Sequence, residues 1–467
     1  MATILATCEV WVDGQRYADG QPAEDTSEPF ALTDLTVTWG RGSTIDQPNP
    51  ATCTFTIMDP PGGAVRFDDT VALGSGIVIW SQLGTERTVV FGGRVTDLTA
   101  EFDDEFGAGI CHVVAADLMS DLANRFVGSE PWALEQAWLR AGRILDAVGV
   151  SKAGLNVATR PAGINMSRMD VDRQPAAQLL NDVATSTGAV LWTAYDPDRA
   201  GAAYLYFEDP ATRASLYVFK QDTTTLLWAP AAGTGAGTSL TSCNILEDPV
   251  QWIRAVTDLI TRVTVRWKDQ TTSPGTTDRS LGVVNSSSEI TYGARGLSIG
   301  TELTTSADAT ALANAQLAAH QPSPSWRTEG LTWDLSQTED DDPTRALAFA
   351  LLGGTTRLGY AIALTDLPYW TPTQAATQLY IEGGTYTFDA DDAGQVRWVL
   401  ALIGAPSTGL GGSLQYGQTD LSVRYVDVKR TVTFLDMIGV GKAGPTGKTW
   451  DQLTGTWAAQ TVKWSEY

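Results

Sequence analysis

The stretch TDLTVTWGRGSTIDQPNPATCTFTIM, residues 33–58, constrains the fold more than any other part of the chain. Leu35, Val37 and Trp39 alternate with polar residues, and after a connection rich in Gly, Asp, Asn and Pro the alternation resumes at Cys53, Phe55 and Ile57. Successive side chains on a strand point to opposite faces, so a period of two predicts two half-buried strands. Gly40 and Gly42 stand where a strand must leave its sheet, and Gln47-Pro48-Asn49-Pro50 bars helix and keeps the connection extended. The pattern fits the opening of a β-barrel, and equally a long hairpin in any all-β domain.

The rest of residues 1–117 continues in short strands, at 71–73, 77–80, 89–91, 94–102 and 110–115. With the opening pair these make about seven strands, enough to close a small barrel. Asp117 stands where an N-cap belongs, ahead of Leu118, Leu122 and Ala123. Residues 118–254 change character. Ala137, Ala141, Ile144, Leu145 and Val148 form one helical stripe ended by Gly149, and Ala176, Leu179, Leu180, Val183 and Thr187 form a second, opened by Pro175 and ended by Gly188. Residues 188–209 read as a hairpin, and 229–239 as a Gly/Ala/Thr loop. Residues 255–404 return to strands, with Ile260, Val263, Val265 and Trp267 on the first. One helix interrupts them, capped by Thr305 with Asp308 three residues on, lined by Leu312, Ala315 and Ala319 and stopped by Pro322. The paired glycines Gly92-Gly93 and Gly383-Gly384 fall at similar points of the two β regions, a faint sign of duplication. In residues 405–467, Trp450, Trp457 and Trp464 are spaced by seven. Glycine and β-formers around them argue against a coiled coil, leaving an arm whose indoles fill pockets on a neighbouring subunit, or a strap across the same chain.

The expected fold is therefore mainly β with a smaller α+β part: two β-barrel-like domains, at 1–117 and 255–404, flanking a helix-containing middle domain at 118–254, with an extended arm at 405–467. The 45 glycines, 21 prolines and 18% charged residues agree with many short strands and turns. A formal net charge of −23 repels phosphate backbones and disfavours stable nucleic-acid binding, while leaving room for DNA to slide past an acidic wall. Cys8, Cys53, Cys111 and Cys243 form no CxxC pair and read as reduced core or strand positions of a protein made in a host cytoplasm. No apolar run reaches the length of a membrane span, and the first residues lack the pattern of a signal peptide.

Chemistry finds little purchase. His112 beside Cys111 reads as a core or edge histidine rather than half of a nucleophile pair, and His320 ends a helix, where a cation favours the dipole. No HExxH, GxSxG, P-loop or strand-borne GxGxxG is present. The acidic clusters are Asp103-Asp104-Glu105, Glu339-Asp340-Asp341-Asp342, Asp389-x-Asp391-Asp392-x-Gly394 and Asp196-x-Asp198-x-x-Gly201. The last two begin like calcium loops but carry Ala393 and Ala200 at the fifth position, and solvated turns are the simpler reading. No catalytic residue, metal or cofactor is expected. Carboxylates brought together from distant strands leave a glycan-cleaving alternative open.

Four segments in order resemble a known family. Residues 37–57, the 90–122 segment with its Gly-Arg step and Ala-x-Asp, the 287–320 segment and the closing 364–404 segment are similar to minor tail proteins of long-tailed actinobacterial phages, of the tail-tip (baseplate) hub family. In the 287–320 segment Tyr292, Gly293 and Arg295 are kept but Glu289-Ile290 departs from the family's string. The resemblance implies a structural virion protein with no enzyme activity: a homotrimeric hub at the distal tip of a phage tail. Such a hub would close the tail tube, adapt its six-fold symmetry to a three-fold tip and open for DNA passage. Implied partners are further copies of itself, the distal tail protein, the tape-measure protein and other minor tail or fibre proteins, with DNA only in transit and no membrane span. The alternatives are a tail-associated protein that binds or cuts cell-wall glycan, and a secreted carbohydrate-binding protein, which the missing signal peptide disfavours.

Overall fold

A computed structural model describes residues 6–19, 30–41, 47–59, 71–83, 86–103, 108–128, 130–150, 163–196, 202–208, 216–221, 226–230, 241–243, 252–253, 259–270, 277–319, 327–328, 331–334, 361–365, 377–389 and 395–403. All lie in one compact unit, Met1–Pro406. The expected arm with Trp450, Trp457 and Trp464, His320, the 339–342 cluster and most of the other acidic turns lie outside the described residues.

The N-terminal region has seven strands: β1 (Ala6–Val12), β2 (Gln15–Asp19), β3 (Phe30–Gly40), β4 (Asn49–Asp59), β5 (Gly76–Leu83), β6 (Glu86–Asp103) and β7 (Ala108–Ala116). Antiparallel pairings run β2-β1-β5-β6-β7-β4-β3, and β3 returns to β2 through two parallel residue pairs, Ala18↔Phe30 and Asp19↔Ala31. The pairing is thus a circuit through all seven strands. Its membership differs from the sequence expectation. Residues 71–73 are not a strand, and 89–91 and 94–102 are one strand, β6, bulged between Val95 and Asp97. Gly93 does not break it. A Cβ there would stand 2.2 Å from the Ala116 carbonyl oxygen, so the glycine permits a close approach of β7. The hairpin β1–β2 turns on Asp13 and Gly14, both at positive φ, the geometry that a two-residue Asp-Gly loop favours. Cys8, Val10, Leu35, Val37, Cys53, Phe55, Ile57, Ile79 and Val113 are all buried, as the period-two pattern requires.

The middle region carries helices α1 (Leu118–Ala123), α2 (Ala137–Val148) and α3 (Ala176–Thr187), then the hairpin β8 (Val190–Asp196) and β9 (Ala202–Glu208). The predicted stripes Ala141, Ile144, Leu145, Val148 and Leu179, Leu180, Val183 pack together with Met119, Leu122, Leu191 and Leu205 in one core. Gly149 and Gly188 end α2 and α3 in the left-handed conformation, at φ 70° and 71°. The meander β10 (Leu216–Gln221), β11 (Leu226–Pro230) and β12 (Thr241–Cys243) follows, so Ala229 belongs to a strand rather than a loop.

The third region splits in two. One part is a separate three-stranded sheet: β13 (Arg262–Asp269) at its centre, β14 (Thr277–Val284) antiparallel on one side and β15 (Gly296–Gly300) parallel on the other, with the short helix α4 (Ser286–Tyr292) between them. Helix α5 (Ser306–Ala319) packs on it through Ala309, Leu312 and Ala313; Ala315, expected on the packed face, is exposed. The remaining strands are β16 (Leu331–Asp334), β17 (Ala361–Thr365), β18 (Thr377–Asp389) and β19 (Gln395–Ile403). They do not make a sheet of their own. β18 pairs with β17 and β19 and then, from Gly383 to Asp389, with β3, while β10 pairs in parallel with β17. Strands from all three regions therefore share one sheet, which the expectation of two β domains set apart by a helical middle did not anticipate. Binary pattern reports which face of a strand is buried, not which strand lies beside it.

Candidate functional site

The residues singled out for chemistry are dispersed. His112 is exposed on β7, a strand paired on both edges, so it is neither core nor edge. Its Nδ1 lies 2.9 Å from Thr56 Oγ1 and its Nε2 3.3 Å from Glu101 Oε1, cross-strand contacts on the outer face. Cys8, Cys53 and Cys111 are free and buried, and burial pushes each thiol up, the reverse of what a nucleophile needs. Among the described residues no group of three or more His, Cys, Asp or Glu could hold a metal ion.

What the fold does bring together is a set of joints. The first is where β18 enters the N-terminal strands. β2 leaves β3 after two residue pairs, and β18 takes its place along the same strand, with Gly383 opposite Gly40, Tyr386 opposite Val37 and Phe388 opposite Leu35. A Cβ at Gly383 would lie 2.7 Å from the Trp39 carbonyl oxygen, beside a bulge in β18, so glycine is what admits the strand. Tyr386 and Phe388 are 1% and 2% exposed. The Tyr386 hydroxyl donates to Ser81 Oγ at 2.8 Å, with the Cys8 thiol also in hydrogen-bonding reach, and burial pushes its pKa up. A residue 305 positions downstream thus completes the interior of the N-terminal strands.

The second joint ties those strands to the middle region. Gln47 Nε2 donates to the Ala189 carbonyl at 3.0 Å, and the Leu191 N–H donates to Gln47 Oε1 at 3.3 Å. Close by is a cavity of about 20 Å³, room for one water, lined among others by Trp39, Asp117, Trp192 and Tyr195. Asp117 is the N-cap expected from the sequence: its Oδ1 accepts from the Met119 and Ser120 N–H groups at 2.9 and 3.4 Å. Burial raises its pKa to about 6, and the hydrogen bonds it accepts only partly offset that.

The third joint runs between the middle region and the three-stranded sheet. Lys268 Nζ is 2.9 Å from Glu302 Oε1, Ser167 Oγ donates to Glu302 Oε2, and the Glu302 N–H donates to Ser186 Oγ at 3.0 Å. Asp182 faces the same cluster; burial first, and the Glu302 charge second, raise its pKa to about 6 against the pull of Lys268. Beneath lies Arg140, 1% exposed. It donates from Nε to Glu135 at 3.1 Å and from Nη2 to the carbonyls of Ala133 and Ser167 at 3.1 and 2.6 Å. Carboxylates do meet here from distant parts of the chain, Asp182 on α3 and Glu302 just after β15, as a hydrolase would require. Glu302 is committed to a lysine and a serine hydroxyl, the chemistry of a structural joint rather than of a pair poised around a substrate. Nothing in the local sequence of Arg140, Ser167 or Glu302 marked them, because their meaning lies in contacts across 27 and 135 residues.

The class these features define is a mostly β protein in which strands from three regions share one sheet and a small α+β core packs against its N-terminal strands, with side chains spent on joints. That fold is found in tail proteins. A 43 kDa tail protein of prophage MuSo2 from Shewanella oneidensis superimposes with a TM-score of 0.50 at 14% identity, over 86% of this chain and 98% of its own. The tail protein from Neisseria meningitidis MC58 does so with a TM-score of 0.51 at 13% identity, over 85% of this chain and 96% of its own. No protein-family model and no curated protein sequence matches the chain.

Proposed function

We propose that the chain is a structural subunit of a phage tail, acting as a homotrimeric hub at the distal tip. The observation that carries this reading is the end-to-end likeness of fold to two tail proteins, which leaves almost none of their length unmatched. The strand circuit of the N-terminal region, with β18 set into it, is the part we read as the first barrel-like lobe; the second lobe shares its sheet rather than standing apart. Three subunits would offer six such lobes, adapting a six-fold tube to a three-fold tip. The subunit would contact the distal tail protein and the tape-measure protein, anchor fibre or other minor tail proteins, and open for DNA. A net charge of −23 suits a bore that passes DNA without holding it.

Two measurements test this together. Light scattering of the purified protein should give three times the chain mass, and gold-labelled antibody against the chain should mark the distal end of the tail on intact particles. A single-copy mass at all concentrations, or label elsewhere on the particle, refutes the reading.

A further inference from the structure

The outer face of the three-stranded sheet is built unlike the rest of the molecule. Its inner face, with Val263, Val265, Leu281, Val283, Leu297 and Ile299, packs under α5. The register sets the outer face as a grid of three rows: Ser280, Arg266 and Gly300; Gly282, Thr264 and Ser298; Val284, Arg262 and Gly296. All are exposed except half-buried Thr264.

Two features of the grid have no explanation among the described residues. The first is charge. In these three rows the only ionisable residues are Arg262 and Arg266, and the adjoining row of the same face sets Lys268, which is paired with Glu302, opposite Asp278, in a chain with 54 acidic and 31 basic residues. Glu289 on α4 approaches Arg262 at 2.8 Å, whereas Arg266 makes no side-chain ion pair or hydrogen bond among the described residues. The second is its flatness. Glycine is unfavourable in a strand, yet one stands in every row. None of the three has positive φ, and a Cβ would meet nothing within 4 Å at Gly296 or Gly300, and only Thr264 Oγ1 at 3.9 Å at Gly282. Neither backbone conformation nor packing among the described residues calls for glycine at any of them. At the border of the grid α4 leaves Ile290 86% exposed and β14 leaves Val284 39% exposed. The outer edge of β14 pairs with no strand among the described residues.

We propose that this face is a contact between copies of the chain, receiving an acidic surface of the neighbouring subunit. A flat sheet face of glycine, serine and threonine lets a second backbone approach closely, Ile290 and Val284 supply apolar area at the rim, and the two arginines select an acidic partner. With a net charge of −23, another copy presents such a surface, and a cyclic trimer requires a contact in which two different faces meet. This inference rests on the reading of the chain as a self-associating tail subunit.

The test uses three full-length variants, Gly282→Thr, Gly300→Thr and Arg266→Glu, with Leu139→Thr, exposed on α2, as control. Threonine suits a strand, so the two glycine variants should keep or raise the melting temperature while the concentration at half-association rises at least about tenfold. Arg266→Glu should weaken association to a similar extent, and Leu139→Thr should leave it unchanged. A wild-type protein that stays single-copy removes both the subunit reading and this contact. A wild-type trimer whose association is untouched by all three variants removes the contact alone. Binding of a fluorescent DNA duplex that Arg266→Glu abolishes, with assembly unchanged, would reassign the face to nucleic acid and overturn the proposal.

Discussion

Replacing Tyr386 with Phe tests whether β18 completes the N-terminal strands. Ser81 is 1% exposed, and the Tyr386 hydroxyl lies 2.8 Å from its Oγ. Removing that hydroxyl strands a buried serine, which costs about 2 kcal/mol, within the range of 1–3 for an unsatisfied buried group. Ser81→Ala should cost less, because the Tyr386 hydroxyl keeps the Cys8 thiol as a partner. The double variant removes both polar groups and should recover part of the loss, a coupling of about 1 kcal/mol. Hydrogen–deuterium exchange reads this locally: peptides covering 6–12 and 76–83 should exchange about 30-fold faster in Tyr386→Phe if the loss falls on the opening that exposes them. Unchanged exchange in both peptides, or strictly additive single variants, would refute the argument that a strand from residues 377–389 closes the interior around Cys8 and Ser81.

Three further outcomes follow from the joints. The Asp117 carboxyl rises from an ordinary 3.8 to about 6 in the folded protein, so its contribution to stability is full below pH about 4 and is lost as pH rises through about 6; the penalty at pH 7.5 is about 3 kcal/mol. Asparagine caps a helix as well as aspartate, so Asp117→Asn should raise the melting temperature at pH 7.5 and flatten its dependence between pH 4 and 7, and an unchanged pH profile would count against a buried charge there. Gly383→Ala should destabilise by roughly 1–3 kcal/mol in urea unfolding, since its Cβ meets the Trp39 carbonyl at 2.7 Å, while Gly282→Ala, in open space, should not. Arg140→Ala should cost about 3 kcal/mol, the low end for a broken buried pair, because Arg143 Nη2 still holds Glu135 at 2.7 Å; a cost under 1 kcal/mol would mean that the Ser167 and Ala133 carbonyls find other partners.

Local pattern carried a good part of the fold. The alternation at Leu35, Val37, Cys53, Phe55 and Ile57, the stripes of α2 and α3, the caps at Asp117 and Thr305 and the glycine stops at 149 and 188 all depend on near neighbours, and the chain shows them directly. The Asp13-Gly14 turn is an equally local signal, an Asp-Gly pair at positive φ between two strands. Some elements were ambiguous because their signal is shared. Gly92-Gly93 looks like a turn and is a close approach inside one strand, and α4 buries only Ser288, so no apolar stripe announces it.

Burial, period and capping are properties of a residue and the few around it, so the sequence alone was enough to establish a mostly β chain with a helical core in its middle and an acidic surface. Neighbourhood between strands is not such a property. Whether β18 lies beside β19 only or also beside β3, whether Glu302 reaches Ser167, and which face of β13 stays bare were decided by tertiary structure, because each depends on the free energy of contacts between segments that any backbone hydrogen-bonding pattern would satisfy equally well.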